Sequence, residues 1–389
     1  MIYLNAEFKS SHYDLRKYSV LLFATYTLFG LAFSSYSYQL RYYAEHNGID
    51  YSFQSKLESI SYILVALFIL NIGKISDLVG RERAVFITSA VGSLSPVIAL
   101  LSISPVSFFF SVLALNSAFL GGAVARNLLA IEIGGVKTGS VVGIAMTGTA
   151  VAMIFGPIIG DLLKGSFGFF GVFSFSSSMF VGSALVSFFM KTGKSGVMYK
   201  GWGISSIPSE LRGFATFATL DRFAYYIWVP LIFALTASEG ISIQSSALLY
   251  SIQNAAWLIF QFPMGILADR WDPRKLLSLS EILTSLSAIM LAVGIVEGGD
   301  IVALSSSFAL LGLNIASWAP SYSSYFMKKT TGERRGIYMA SINFYATIAA
   351  IPSPFVGGAL RSIIPGGYGH LLFAAVLHAI NAAYVLRIR

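Results

Sequence analysis

The sequence contains no cysteine among its 389 residues. Disulfide bonds, thiolate metal sites and cysteine nucleophiles are therefore excluded. Charged side chains are also scarce, because Asp, Glu, Lys and Arg together make up 11% of the chain. A soluble domain would carry roughly 25% charged residues to cover its surface. A soluble globular protein is therefore not expected.

Motifs for nucleotide and metal chemistry are incomplete. Thr192–Ser195 reads TGKS, but Phe188 stands where a phosphate-binding loop needs glycine, and the stretch follows an apolar run rather than a strand. The sequence has no His-Glu-x-x-His motif, and His370 and His378, eight residues apart, have no accompanying carboxylate in the sequence. We therefore expect no ATP hydrolysis, no metal site, no cofactor and no enzymatic activity.

Long apolar runs dominate what is present. The chain is 56% hydrophobic with a mean hydropathy of +0.72, and runs of about 20 residues are long enough to cross the ~30 Å hydrocarbon core. They do not alternate as barrel strands would, so we expect a bundle of helices in an integral membrane protein. The predicted spans are twelve: 18–40, 57–76, 84–104, 106–130, 140–163, 169–190, 211–236, 245–267, 275–296, 301–326, 337–360 and 367–386.

The net charge of +8 follows the predicted topology. With the N-terminus in the cytoplasm, twenty Lys and Arg fall on the cytoplasmic side. Four fall on the other side: Arg41, Lys56, Lys164 and Arg361. This imbalance obeys the positive-inside rule, so both termini are predicted cytoplasmic. The positive charge indicates topology and not a nucleic-acid partner.

The chain divides near its middle into two similar parts. The polar stretch 191–210 is predicted to be a cytoplasmic linker between an N-terminal bundle, 1–190, and a C-terminal bundle, 211–389. The motif GKISDLVGRER begins at Gly73, and GILADRWDPRK begins at Gly265, 192 residues later (265 − 73). Pro157 and Pro354 lie 197 residues apart (354 − 157). A duplicated six-helix unit with parallel copies explains both offsets.

These features resemble the major facilitator superfamily of secondary transporters. The resemblance rests on the two six-helix halves and on Gly-x-x-x-Asp-x-x-Gly-Arg-x-Arg between spans two and three, formed by Gly73, Asp77, Gly80, Arg81 and Arg83. The second copy keeps Gly265, Asp269 and Arg270. The resemblance implies an all-α membrane fold of twelve helices in two pseudo-symmetric bundles. It also implies that the protein transports a small solute by alternating access in the cell membrane.

The motif between spans two and three is predicted to act as a gate. Asp77 can cap a neighbouring helix N-terminus, whose dipole favours an anion, and Arg81 can reach Glu132 at the end of span four. The resemblance implies that Asp77, Arg81 and Glu132 form a latch on the cytoplasmic side. The alternative interpretation is a solvated charge cluster that anchors the topology.

Span five bears on the direction of transport. It resembles an antiporter pattern through Gly156, Pro157 and Gly160, although Ala152 and Asp161 replace two of its glycines. The resemblance favours export, with uptake by a symporter or uniporter as the alternative. Span four lacks the arginine that the family places before its glycines, since Arg126 comes after Gly121 and Gly122, about nine residues beyond the expected position.

Charged residues inside predicted spans are candidate functional sites, since each costs about 2.5–3.5 kcal/mol to insert. Asp221 could bind a proton or a cation and Arg222 an anion, or the two could form an interhelical ion pair. Arg126 could line a cavity as an anion site or pair with Glu132 or Asp77. Glu281 is interpreted as a helix-end residue that reaches the interface.

Polar and aromatic side chains on the expected cavity helices complete the candidate site. They are Tyr36, Asn116, Tyr225, Tyr226, Trp228, Gln253, Asn254, Trp257, Asn314, Trp318, Asn343 and Tyr345. Each could equally pack between helices. Together the sequence predicts a monomeric, proton-coupled transporter of a small solute in the lipid bilayer. A non-transporting sensor and a membrane enzyme are less favoured alternatives.

Overall fold

The computed structural model describes residues 15–49, 51–101, 104–192, 207–229, 243–330, 334–363 and 367–388, with 232, 235, 236, 239 and 241. These residues form helices and short connections and contain no strand. The N-terminal half contains α1 (Leu15–His46), α2 (Tyr51–Val79), α3 (Arg81–Leu101), α4 (Pro105–Asn116), a π turn (Ser117–Gly121), α5 (Gly122–Gly134), a 3-10 turn (Gly135–Lys137) and α6 (Thr138–Phe188). The C-terminal half contains α7 (Ser209–Tyr226), α8 (Ile243–Arg270), α9 (Pro273–Val296), α10 (Ile301–Lys329), α11 (Arg335–Ala350), α12 (Ser353–Ile363) and α13 (Gly369–Arg387).

Eight helical stretches of the described chain are long and apolar enough to cross a membrane. One of them, Pro105–Phe188, is 84 residues long and contains three predicted spans, with a break inside α6 at Gly168, where φ is +63°. Helices α7 and α8 are not among the eight, because α7 carries charged residues and α8 carries Ser, Gln and Asn side chains. The count of twelve spans therefore stays a prediction. Of the predicted linker 191–210, residues 193–206 lie outside the described ones.

Local sequence signals fix where several helices begin. Ser104 caps α4 and exchanges hydrogen bonds with Ser107, with Pro105 at the first helical position. Asp272 and Asp300 cap α9 and α10 through backbone N–H groups. Side-chain oxygens at these positions accept from N–H groups that have no partner inside the helix.

The small residues of span five bring α6 close to α1. A Cβ added at Gly156 or Gly160 would collide with Ser34 or Ser35 of α1, so glycine is needed for this approach. Asp161, which replaces a glycine of the antiporter pattern, accepts a hydrogen bond of 2.7 Å from Gln39 Nε2. The pattern thus has a packing role in this chain.

The two halves meet along two helix pairs. Helix α2 packs against α11, and the first part of α6 packs against α8. At each contact, backbone lies directly on backbone, because a Cβ on Gly73 would collide with Gly336 and a Cβ on Gly265 would lie 2.6 Å from the carbonyl oxygen of Gly139. The glycines of both motif copies therefore allow the halves to touch.

Candidate functional site

Asp77, in the first motif copy, reaches across to the C-terminal half. Its carboxylate accepts hydrogen bonds of 3.0 Å from the backbone N–H groups of Gly336 and Ile337. These residues form the first turn of α11, where N–H groups lack partners and the helix dipole favours an anion. Asp77 is fully buried, so its charge is held by this contact and by an ion pair with Arg81.

Asp269, in the second copy, makes the same contact in the opposite direction. It accepts from Gly139 N at 2.6 Å, from Ser140 N at 2.7 Å and from Ser140 Oγ at 2.5 Å, in the first turn of α6. The two aspartates are 192 residues apart (269 − 77), and the two capped glycines are 197 apart (336 − 139). The sequence repeat thus produces two reciprocal caps, each joining one half to the other.

The charged groups around these caps pair differently from the sequence prediction. Arg81 contacts Asp77 and Ser76 rather than Glu132, because Gly80, with φ of +112°, turns the chain so that Arg81 lies against the end of its own hairpin. Glu132 pairs with Arg335 of α11 at 3.7 Å. The predicted pair of Arg81 and Glu132 is therefore wrong, although Glu132 does join the halves. Arg83 and Arg270 are exposed.

A cavity of about 390 Å³ lies between the halves. Residues of α1, the π turn, α5, α6, α7, α8 and α10 border it. Seven of the twelve candidates from the sequence are among them: Tyr225, Tyr226, Gln253, Asn254, Trp257, Asn314 and Trp318. Three charged residues border it as well: Arg126, Asp221 and Arg222. The cavity is thus largely aromatic, with a few amide and charged groups.

Five candidates do not border this cavity. Tyr36 is fully buried in the N-terminal half, where its hydroxyl bonds Ser95 and Ser111, and Asn116 donates to Ser61 at 3.1 Å. Trp228 packs in the core of the C-terminal half, Asn343 donates to its own helix at Met339, and Tyr345 is exposed. Helical position alone does not distinguish these packing roles from cavity lining.

Arg126 faces the cavity and does not join the gate. Its Cζ lies 3.6 Å from the ring centroid of Phe29 and 5.6 Å from that of Tyr26. Its Nη2 donates to the Phe119 carbonyl at 3.4 Å. The π turn between α4 and α5 carries an extra residue, so the face of α5 differs from that of one continuous α-helix. The alternative pairing with Glu132 or Asp77 is wrong, because those carboxylates bond other groups.

Asp221 and Arg222 point in different directions from adjacent positions on α7. Arg222 Cζ lies 5.4 Å from the ring centroid of Trp318 and 5.7 Å from that of Tyr226. Asp221 is directed toward α9 and α13, where its carboxylate lies within 4.8 Å of the ligand atoms of Glu281 and His378. Neither residue forms an ion pair with a described residue.

Glu281 and His378 form a buried pair behind the cavity. His378 Nδ1 lies 2.6 Å from Glu281 Oε2, and both side chains are almost completely buried. The interpretation of Glu281 as an interfacial residue is therefore wrong, as is the view that His378 lacks a carboxylate. Glu281 on α9 and His378 on α13 are 97 residues apart, so their proximity depends on helix packing that no local pattern encodes.

Several cavity residues were missing from the sequence prediction. Tyr26, Phe29, Asn127 and Tyr250 border the cavity, and Tyr26 Oη lies 3.4 Å from Asn127 Oδ1. Asn127 could have been suggested by its position next to an intramembrane arginine. The aromatic residues carry no such signal in a chain with 14% aromatic content.

The family model of the Major Facilitator Superfamily matches residues 22–201 and 214–389. The chain belongs to the major facilitator superfamily. This transporter is 22% identical over 338 residues to Multidrug resistance protein MdtG of Salmonella paratyphi C, covering 82% of each chain. It is 25% identical over 189 residues to an uncharacterized MFS-type transporter of Methanocaldococcus jannaschii, covering 47% of this chain and 46% of that one.

Solved structures share the fold of this superfamily member. The human organic anion transporter MFSD10 (TETRAN) superposes with a TM-score of 0.79 at 14% identity, over 96% of this chain and 100% of that chain. The Escherichia coli fucose:proton symporter FucP superposes with a TM-score of 0.70 at 13% identity, over 97% and 100%. The chain is thus an all-α, multi-pass membrane transporter with the major facilitator fold.

Proposed function

We propose that this transporter moves a small solute by alternating access through the cavity between its halves and couples this movement to a proton gradient. The observation that carries the proposal is the pair of reciprocal aspartate caps that join the two halves bordering the cavity. Release of both caps would open the cavity on their side, and their formation would close it. Gating by rocking of two halves around a fixed site is the motion that this fold permits.

The caps belong to the predicted cytoplasmic face, since they follow from the motifs between spans two and three and between spans eight and nine. In this proposal Asp77, Asp269, Glu132 and Arg335 hold the cytoplasmic gate. We propose that both termini and the linker 191–210 are on the same side, and that the protein works as a monomer in which the bundles 1–190 and 211–389 rock against each other.

Asp221 is the proposed proton site. It borders the cavity and also lies against Glu281 and His378. Two carboxylates at this separation repel when both are ionised, so the pair favours the uptake of one proton. A proton arriving from the cavity would reach Asp221 first, and Glu281 and His378 would share the charge behind it.

Export is the proposed direction, supported by the glycine and proline pattern of α6 and by the similarity to a multidrug resistance protein. Uptake by symport is the second candidate, supported by the structural likeness to a fucose:proton symporter. Both candidates use the same cavity and proton site. They differ in whether proton and solute cross in opposite directions or together.

Transport in proteoliposomes under an imposed pH gradient tests the proposal. Labelled sugars, organic acids, amino acids and lipophilic cations would be screened, and the accumulated solute would be compared in Asp221→Asn and parent protein. We expect Asp221→Asn to abolish the dependence on the pH gradient, while Asp300→Asn, a cap outside the cavity, preserves it. Unchanged gradient dependence in Asp221→Asn would refute the proton site.

A further inference from the structure

Two arginines that border the cavity form no ion pair with a carboxylate of the described residues. Arg126 is 5% exposed, and the hydrogen bond that its guanidinium forms with a described residue goes to the Phe119 carbonyl. Its Nη1 is buried and has no hydrogen-bond partner among the described residues. A buried guanidinium stays charged, and leaving it unpaired is costly. No described residue therefore serves as a counter-ion for Arg126.

Space beside Arg126 is kept free by a glycine. A Cβ on Gly122 would lie 2.7 Å from Arg126 Nη1, which is too close for that atom to stay in place. The guanidinium lies between this glycine and the ring of Phe29, and Arg126 borders the cavity. Its orientation is fixed before any solute binds, which lowers the cost of binding.

Arg222 provides the second positive charge, from the C-terminal half. It lies beside Trp318 and Tyr226 and forms no ion pair with any residue of the described ranges. The remaining charged residue at the cavity, Asp221, is directed toward Glu281 and His378. The formal charge of the lining is therefore positive whether Asp221 is ionised or protonated.

We propose that this cavity binds a small organic anion, with its charged head between Arg126 and Arg222 and its apolar body against the aromatic lining. Guanidinium groups recognise carboxylate, sulfonate and phosphate oxygens by charge-assisted hydrogen bonds. The rings of Tyr26, Phe29, Trp257 and Trp318 suit a flat or aromatic body. A volume of about 390 Å³ lies at the lower end of small-molecule sites.

The inference rests on the proposed function in taking this cavity as the solute site, but it does not depend on proton coupling. It also opposes a cationic solute. A cation would lie near two guanidinium groups that form no ion pair within the described ranges, and Asp221, a carboxylate of the lining, is already directed toward a histidine. Repulsion of this kind rejects a wrong ligand as effectively as attraction selects the right one.

Binding to the purified full-length protein at constant pH tests the inference by calorimetry. The probes are 2-naphthoate and 2-naphthalenesulfonate, with 2-naphthalenemethanol as the neutral isostere and 2-naphthylmethylammonium as the cationic one. We expect the anions to bind about tenfold or more tighter than the neutral isostere, as one charge-assisted contact allows. Weaker binding of the anions than of either isostere, or no anion binding, would overturn the proposal.

Variants assign the binding to the two arginines. Arg126→Gln and Arg222→Gln should each weaken anion binding about tenfold and leave the neutral isostere unaffected, which also verifies that the cavity is intact. Arg361→Gln, which breaks an ion pair with Glu239 elsewhere, should change neither. If a Gln variant fails to fold, Arg126→Lys or Arg222→Lys keeps the charge and should retain anion preference. Anion affinity unchanged in both Gln variants would overturn the proposal.

The same measurement separates this inference from the proposed proton coupling. Asp221→Asn should retain the preference for anions even where it loses dependence on a pH gradient in vesicles. If the variants retain the preference for anions but neither they nor the parent protein depend on the pH gradient, only the proposed proton coupling is contradicted. If the protein prefers the cationic probe and its transport still depends on the pH gradient through Asp221, only the proposed anion site is contradicted.

Discussion

Replacement of Asp269 by Asn should open the closed face of the cavity. The carboxylate accepts three hydrogen bonds from Gly139 and Ser140, and all three cross between the halves. An amide keeps the size of the side chain but has no charge and presents a donor to N–H groups. Hydrogen bonds to charged groups contribute about 1.5–3 kcal/mol, and each 1.4 kcal/mol is a factor of ten. We therefore expect the open population to rise about 10- to 100-fold.

The absence of cysteine provides a clean assay for this change. A single Thr149→Cys substitution places a thiol at the cavity, and a membrane-impermeant maleimide is added from the face that carries the caps. The labelling rate reports how often that face opens. Asp269→Asn should raise the labelling rate about 10- to 100-fold.

Asp272→Asn is the matched control, three residues away. Asp272 also caps a helix, but it caps α9 of its own half, through Arg274 N at 3.0 Å. The side-chain hydrogen bond from Arg274 lowers the pKa of Asp272, so this residue is charged at neutral pH. Equal labelling rates in Asp269→Asn, Asp272→Asn and the parent would refute the reasoning that the caps hold the face closed.

Three other changes test separate parts of the structure. Gly265→Ala places a Cβ 2.6 Å from the Gly139 carbonyl oxygen and should raise the same labelling rate, whereas Gly358→Ala, with open space around its Cβ, should not. His378→Ala leaves a buried oxygen of Glu281 without its hydrogen-bond partner and should destabilise the protein by about 1–3 kcal/mol; a melting temperature no lower than that of His370→Ala would contradict this. Anion affinity should rise as pH falls, because a proton on Asp221 removes the negative charge beside Arg222, and calorimetry at several pH values should show a flat profile in Asp221→Asn. Tighter anion binding at high pH would contradict this expectation.

Much of the fold follows from patterns that a single chain carries. The apolar runs, the two motif copies and their offset predict a duplicated helical bundle, because each depends on residue type and spacing along one chain. The position of Asp77 also suggested that it would cap a helix, since a carboxylate near a helix end favours a partner N-terminus. These features are local or periodic.

The details of the site depend on which helix faces lie against each other. Glu281 and His378 meet only because α9 packs against α13, and neither helix shows a pattern that indicates its partner. The one-turn π segment changes the face of α5 and brings Arg126 to the cavity, which a uniform rotation of ~100° per residue does not anticipate. Tyr36 and Trp228 illustrate the same limit, since packing and cavity positions look alike in sequence.

The reciprocal caps also bear on how such a protein could have arisen. Each half carries both an aspartate and a helix N-terminus that receives the aspartate of the other half. Two copies of one six-helix unit, related by a twofold axis, would therefore form both contacts with a single self-complementary surface. An ancestral homodimer of this unit would already have formed both caps. Duplication and fusion of its gene would have preserved them.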